Sequence, residues 1–291
     1  MAVTLGIDVG GTAIKWVARD TATGEVAGRG GVPTPGDRDT IVEALVALAR
    51  AADPDRVGLA VPGHVDRATG VVRFLPNLPG RWSGFPLGDT VTGATGRPTR
   101  LLNDARAFCL AELRLGAARG LTDVLFLTLG TGVGGGVVTG GRLLVGADDR
   151  LGEIGHTTYD RAGPACGCGS RGCLEMYASG PAIAAAAGGG RTPAEVAGAA
   201  AGGEPAAAGA IARAGRAIGE SIASVAALLP STALVVGGGV AGALPALRPH
   251  VEAALAAREP FIGPVRVLAA ELGDEAGATG AALAAEEGSG R

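Results

Sequence analysis

Aromatic residues are scarce in this 291-residue chain: Phe, Trp and Tyr together make up 3%. With 47% hydrophobic residues in all, the core must be built of Ala, Val and Leu. Basic runs are lacking and the net charge is -3, which argues against a nucleic-acid partner. No apolar run approaches the length needed to span a bilayer. The start, Met1-Ala2-Val3-Thr4-Leu5, lacks the charged region of a secretory leader, so a cytoplasmic location is expected. The length allows two ordinary domains or one large one. The 52 glycines fall largely in Ala/Gly runs, which alternate with periodic apolar segments and so read as packed helices.

The few cysteines are unevenly placed. Three of the four lie within eight residues, as Cys166-Gly167-Cys168-Gly169-Ser170-Arg171-Gly172-Cys173-Leu174-Glu175. Glu153-Ile154-Gly155-His156 stands upstream, across a nine-residue loop. A Cys3His set is a common closed shell for structural zinc, so His156, Cys166, Cys168 and Cys173 are the candidate ligands. Glycines between the thiols let the chain curl tightly. Glu153 and Glu175 bracket the motif, and a metal that fixes the loop would fix both carboxylates as well. The plainer alternatives are cysteines without metal, or a disulfide that leaves one of the three unpaired.

Taken in order, Val3 to Ile7 reads as a buried strand ending in Asp8-Val9-Gly10-Gly11-Thr12-Ala13-Ile14-Lys15. Paired glycines turn the backbone and leave N–H groups for an anion. Lys15 adds a charge, and Asp8 is placed to hold magnesium through water. Ile14 to Arg19 closes a hairpin. A Walker loop would need Gly-Lys-Ser/Thr opening a helix, which is absent here. Further strands are expected over 25–32, 57–61, 99–102, 124–129, 233–236 and 265–270. Helices are expected over 37–51, 105–116, 210–229 and 275–285. Asn77 lies in a proline-rich loop of the kind that lines sites. Asn103-Asp104 ends a strand, and Asp104 has two readings: cap of the following helix, or general base at the carboxyl end of a strand. Cys109 reads as core. Gly130-Thr131-Gly132-Val133-Gly134 forms a second strand–turn–strand unit, which points to a duplicated architecture gripping a nucleotide's phosphates. Gly237-Gly238-Gly239-Val240-Ala241-Gly242 opens a helix, in keeping with a dinucleotide fingerprint or with a cradle for adenosine.

These motifs together resemble the ROK sugar kinases, bacterial glucokinases above all. The resemblance rests on Asp8-x-Gly-Gly-Thr12, Pro76-Asn77-Leu78-Pro79, Asn103-Asp104, Leu129-Gly-Thr-Gly-x-Gly134, Glu153-x-Gly-His156, the cysteine cluster through Glu175, and Gly237-Gly-Gly239. It implies an actin-like ATPase (ribonuclease H-like) fold, with two α/β domains around a cleft. The expected boundaries are 1–115 for a small domain and 116–291 for a larger one, with the last helix (about 275–286) packing back on the first. It also implies a reaction, phosphorylation of a hexose hydroxyl by ATP with magnesium. Asp104 would be the base, and Asn77, Asn103, Glu153, His156 and Glu175 would join it in holding the sugar. Gly10, Gly11, Thr12, Lys15, Thr131 and Gly132 would hold phosphates, Gly238 and Gly239 would lie by adenosine, and His156 would serve both zinc and sugar. Family habit implies a homodimer or homotetramer.

Arg106 departs from the family, which usually has Asn there. Glucose is the expected substrate. N-acetylmannosamine, N-acetylglucosamine, fructose and cyclitols are the alternatives. A non-catalytic sugar-binding or repressor protein, a Rossmann oxidoreductase and a polyphosphate-dependent kinase are the rival readings.

Overall fold

The computed structural model of the protein describes residues 2–146 and 149–287. It divides into two compact units. The first comprises Met1–Leu115, Val145–Leu151 and Asp274–Arg291; the second comprises Gly116–Leu144 and Gly152–Gly273.

The first unit starts with β1 (Val3–Val9), β2 (Ala13–Asp20) and β3 (Val26–Pro33), followed by α1 (Arg38–Ala52) and β4 (Arg56–Val61). A small hairpin, β5 (His64–Asp66) and β6 (Val71–Phe74), precedes α2 (Leu87–Thr95), β7 (Thr99–Asn103) and α3 (Asp104–Leu115). The sheet order is β3-β2-β1-β4-β7, antiparallel across β3-β2-β1 and parallel across β1-β4-β7. Alternation along β1 sends Leu5, Ile7 and Val9 into a core with Ile41 and Leu45 of α1 and Leu87 and Val91 of α2. Asp37 caps α1 by accepting from the N–H groups of Asp39 and Thr40.

The second unit repeats the plan. Its strands are β8 (Val124–Leu129), β9 (Val133–Thr139), β10 (Arg142–Leu144), β11 (Ala233–Gly237) and β12 (Arg266–Ala269). They lie in the order β10-β9-β8-β11-β12, again antiparallel on one side of the first strand and parallel on the other. Two strand–glycine turn–strand units therefore head two sheets of one topology, as a duplicated architecture requires. The helices are α4 (Glu175–Ala178), α5 (Gly180–Ala186), α6 (Pro193–Ala201), α7 (Pro205–Ala226), α8 (Leu244–Ala256) and α9 (Glu259–Ile262). The Ala/Gly-rich composition has a packing reason: a Cβ on Gly215 or Gly219 of α7 would run into the backbone of α8 at Leu247 or Val251.

The chain ends in the first unit with α10 (Ala276–Glu287), which packs on α3, β1 and β4. Close approach is possible because Gly6 and Gly58 face it. A Cβ on either would collide with the carbonyl oxygen of Ala278 or Ala281. The same face of β1 carries Asp8, beside Gly277 of α10. Among the described residues, no helix is long and apolar enough to cross a membrane.

Three local readings differ from the structure. Residues 87–95 form a helix that sequence periodicity does not announce. Residues 142–144 form a further strand, absent from the strands expected from sequence. The glycines at 237–239 lead first to a 3-10 turn, Ala241–Ala243, before α8 begins.

Candidate active site

In the first unit, the turn between β1 and β2 is closed by Gly10 N–H donating to Ala13 O at 3.0 Å. Thr34 Oγ1 donates to Gly10 O at 2.6 Å and steadies the turn from β3. Among the described residues, no acceptor takes the N–H groups of Gly11 and Thr12, which lie in an exposed turn suited to an anion. The Asn77 loop comes against this turn, with its carbonyl oxygen 3.0 Å from where a Cβ on Gly11 would stand. Asp8 lies at the end of β1. Burial pushes its carboxyl up to about 7, the negative charge of Asp104 adds to the effect, and Lys15 opposes it. Lys15 is paired across the hairpin from Asp8, and its Nζ forms a 3.0 Å ion pair with Asp274.

Asn103 and Asp104 stand at the end of β7. Because β1, β4 and β7 are parallel, they leave the same edge of the sheet as the Asp8 turn. The cap of α3 is Asn103, not Asp104: Asn103 Oδ1 accepts the N–H of Arg106 at 3.2 Å. The helix begins at Asp104 itself, whose Oδ1 accepts the N–H of Ala105 at 2.8 Å. The capping alternative for Asp104 is thus corrected, because the residue with non-helical backbone is the one before it. Cys109 is fully buried, as expected of a core residue.

In the second unit, Thr131 and Gly132 form the β8–β9 turn, where Gly130 N–H donates to Gly132 O at 2.9 Å. Two neighbours hold this turn. Gly180 N–H, at the start of α5, donates to Gly130 O at 2.8 Å. Glu175 Oε2 accepts from Val133 N–H at 3.0 Å. On the other flank, Val240 N–H donates to Leu129 O at 2.8 Å, so Gly238 and Gly239 lie beside the end of β8. Gly238 has φ +88°, and a Cβ there would meet Leu129.

The cysteine cluster is built by the loop after β10. Glu153 O accepts from His156 N–H at 3.0 Å, forming the 3-10 turn Ile154–His156. Cys166 N–H donates to Ser170 O at 2.8 Å, and Gly172 turns at φ +61° against Asp160. The donor atoms of His156, Cys166, Cys168 and Cys173 all fall within 4.8 Å of one another. Cys166 Sγ is 3.7 Å from His156 Nδ1, and Cys168 Sγ is 3.6 Å from Cys173 Sγ. These match the edges of a tetrahedron around zinc, roughly 3.5–3.8 Å for bonds of about 2.0–2.3 Å. A disulfide needs sulfurs at about 2.05 Å, so the four cysteines are free. Burial pushes the Cys173 thiol up to about 12, and its neighbouring thiols reinforce the shift. The N–H of Ser170 holds Cys168 below the usual thiol range. Since Nδ1 of His156 faces the sulfurs, Nε2 is the ring nitrogen left for another partner. Glu175 Oε1 accepts from Cys166 Sγ at 3.8 Å, which joins the cluster to the β8–β9 turn through one carboxylate.

The sequence profile of the ROK family matches residues 4–287. This chain belongs to the ROK family. A glucokinase of Thermotoga maritima is 42% identical over 184 residues, a match covering 62% of this chain and 58% of that protein. An N-acetylmannosamine kinase of Escherichia fergusonii is 40% identical over 295 residues, 97% of this chain and 98% of the relative. The crystal structure of a ROK family glucokinase from Streptomyces griseus, in complex with glucose and AMPPNP, is similar with a TM-score of 0.83 and 34% identity. It covers 98% of this chain and all of the other.

The doubled sheet of this ROK protein is the actin-like ATPase fold. Within the first unit, the fold gathers Asp8, the Gly10–Thr12 turn, Asn77, Asn103 and Asp104. Within the second it gathers Thr131, Gly132, Glu175, His156, the three thiols, Gly238 and Gly239, with Glu153 starting the turn that carries His156. Sequence reasoning missed Asp149 and Asp274. Asp149 Oδ2 accepts the N–H of Asn103 at 2.5 Å from a segment 46 residues away, and no local pattern announces that partnership. Asp274 engages Lys15 in the same unannounced way.

Proposed function

We propose that this ROK sugar kinase transfers the γ-phosphoryl group of ATP to a hexose hydroxyl, with glucose as the first candidate. The observation that carries the reading is the shared sheet edge. Asp104 and Asn103 leave it beside the glycine turn at Asp8, so a base and a phosphate cradle occur together at the carboxyl ends of parallel strands.

Asp104 accepts the hydroxyl proton as the sugar oxygen bonds to the γ-phosphorus and the bond to the ADP oxygen breaks. Asn77, Asn103, Glu153, His156 and Glu175 fix the other hydroxyls. The turns at 10–12 and 131–132 hold phosphate oxygens through backbone N–H groups, with Lys15 adding charge, and Gly238 and Gly239 leave room for adenosine. Magnesium, held by Asp8 through water, would neutralise charge on the phosphates. Zinc in the Cys3His site would be structural, fixing the ring of His156 and the carboxylate of Glu175. ATP as donor implies a cytoplasmic setting, and the family implies a homodimer or homotetramer.

N-acetylmannosamine is the second reading. It is favoured by the N-acetylmannosamine kinase's similarity over nearly the whole of both chains. The test is ADP release from ATP and magnesium with glucose, mannose, fructose, the N-acetylhexosamines and a cyclitol. Asp104→Asn should lower kcat by about 10²–10⁴-fold, the usual worth of a general base, with sugar affinity retained. No turnover on any sugar by folded, metal-loaded protein would overturn the reading.

A further inference from the structure

Arg106 is among the largest fully buried side chains in the protein, with 1% of its surface exposed. A guanidinium keeps its charge at every physiological pH, and such burial is costly without good hydrogen bonds and an opposite charge. Arg106 stands one helical turn after Asn103. Its Nη1 donates to Asn103 Oδ1 at 2.9 Å, the same oxygen that accepts the Arg106 backbone N–H. Asn103 Nδ2 donates one hydrogen to Gly63 O at 3.0 Å. The Asn103 backbone N–H goes to Asp149, which is itself 1% exposed and sits in left-handed backbone at φ 57°. Burial pushes the Asp149 carboxyl above its ordinary range, and the Asn103 N–H and the positive charge of Arg106 oppose that rise.

The two ends of the Asn103 amide are therefore unequal. The oxygen already has two donors, and one of the two N–H bonds is committed. A carboxamide can ordinarily turn over to offer either end. Here the turned amide would set its NH2 group against the guanidinium and against the backbone N–H of Arg106. We propose that Arg106, with Asp149, is a positioning pair that locks Asn103 so that it offers the substrate a hydrogen-bond donor and nothing else. This rests on the reading that Asn103 holds a sugar hydroxyl. It deepens that reading. The oxygen facing Asn103 must accept, so that hydroxyl must give its own proton to a different group, which a neighbouring carboxylate supplies. Discrimination against a sugar lacking that oxygen then depends on a side chain that does not touch the sugar.

The test uses the full-length protein with its metal, once a turned-over sugar is known. Arg106→Met should raise the KM for that sugar about tenfold or more, as expected for a donor lost to a disordered amide. The KM for ATP should stay within about twofold. Across a set of monodeoxy analogues, one position should be discriminated strongly by the wild type and about tenfold less by Arg106→Met. If Arg106→Met does not fold, Arg106→Met/Asp149→Asn removes both buried charges together. Recovered melting temperature with a raised sugar KM would support the proposal. Wild-type sugar KM and analogue discrimination in either folded variant would overturn it, as would a parallel rise in both KM values. A wild type that phosphorylates no sugar overturns the functional reading and this inference with it. A wild type that does so, with unaltered Arg106 variants, overturns this inference alone.

Discussion

Glu175 Oε2 accepts the backbone N–H of Val133 at 3.0 Å, while Oε1 of the same carboxylate faces the thiol of Cys166 at 3.8 Å. One side chain thus ties the cysteine loop to the β8–β9 turn. A Cβ on Gly132 would press on that carboxylate, so the turn and Glu175 are fitted to each other.

The first prediction separates the two uses of Glu175. Glu175→Gln keeps an acceptor for Val133 but loses the charge, whereas Glu175→Ala loses both. Sugar KM should rise about tenfold in Gln and about a hundredfold in Ala, in line with about 1.5–3 kcal/mol for a charge-assisted hydrogen bond. ATP KM should rise only in Ala. Equal ATP KM values in the wild type and the Ala variant would show that the carboxylate does not hold the turn.

The second concerns pH. Asp8 is raised from 3.8 to about 7, chiefly by burial. Between those values the folded chain holds a proton that the unfolded chain has released. Stability without added magnesium or nucleotide should therefore fall as pH rises from about 4 to about 7. Asp8→Asn should flatten that part of the curve. Urea midpoints across the range test it, and parallel curves for the two proteins would count against it.

The third concerns metal. The Cys173 thiol is pushed up to about 12 by burial, yet zinc binds thiolates. Zinc uptake by stripped protein should release protons and tighten with rising pH. Calorimetry in buffers of different ionisation enthalpy reads this directly, with about one zinc per chain at saturation. Uptake without proton release would sink the assignment of these thiols as ligands.

The fourth contrasts one substitution at two glycines. Gly58→Ala places a methyl against the carbonyl of Ala281 in α10 and should cost about 1–3 kcal/mol or more. Gly209→Ala, inside α7 with open space around it, should stabilise by about 0.5–1 kcal/mol. Denaturant unfolding gives both signs, and a neutral Gly58→Ala would mean that α10 shifts easily.

Local patterns carried much of the fold. Short apolar runs marked β1, β4, β8 and β11, and the spacing of His156 with the cysteines marked a cluster whose donors do converge. What escaped depended on tertiary partners. The helix over 87–95 buries only Leu87, Gly88 and Val91, too few for a clear stripe. Asp104 looked like a cap because caps commonly carry Asp, but Asn103 also fits and the chain enters the helix there. Arg106 stood out only as a departure from the family's usual Asn. Its burial depends on Asn103 and Asp149, and Asp149 lies too far along the chain for any motif to link them.

The placement of α10 has a consequence for how the protein comes into being. β1, which bears Asp8, and β7, which leads into Asp104, emerge from the ribosome well before α10. The surface formed by Gly6 and Gly58 stays uncovered until residues 276–287 are made. The second unit is thus fully translated while the first still waits for its last layer. A nascent chain stalled shortly before residue 276 would expose an apolar, glycine-lined face with nothing to cover it. Completion of the first unit therefore follows that of the second, although most of its strands are made before it.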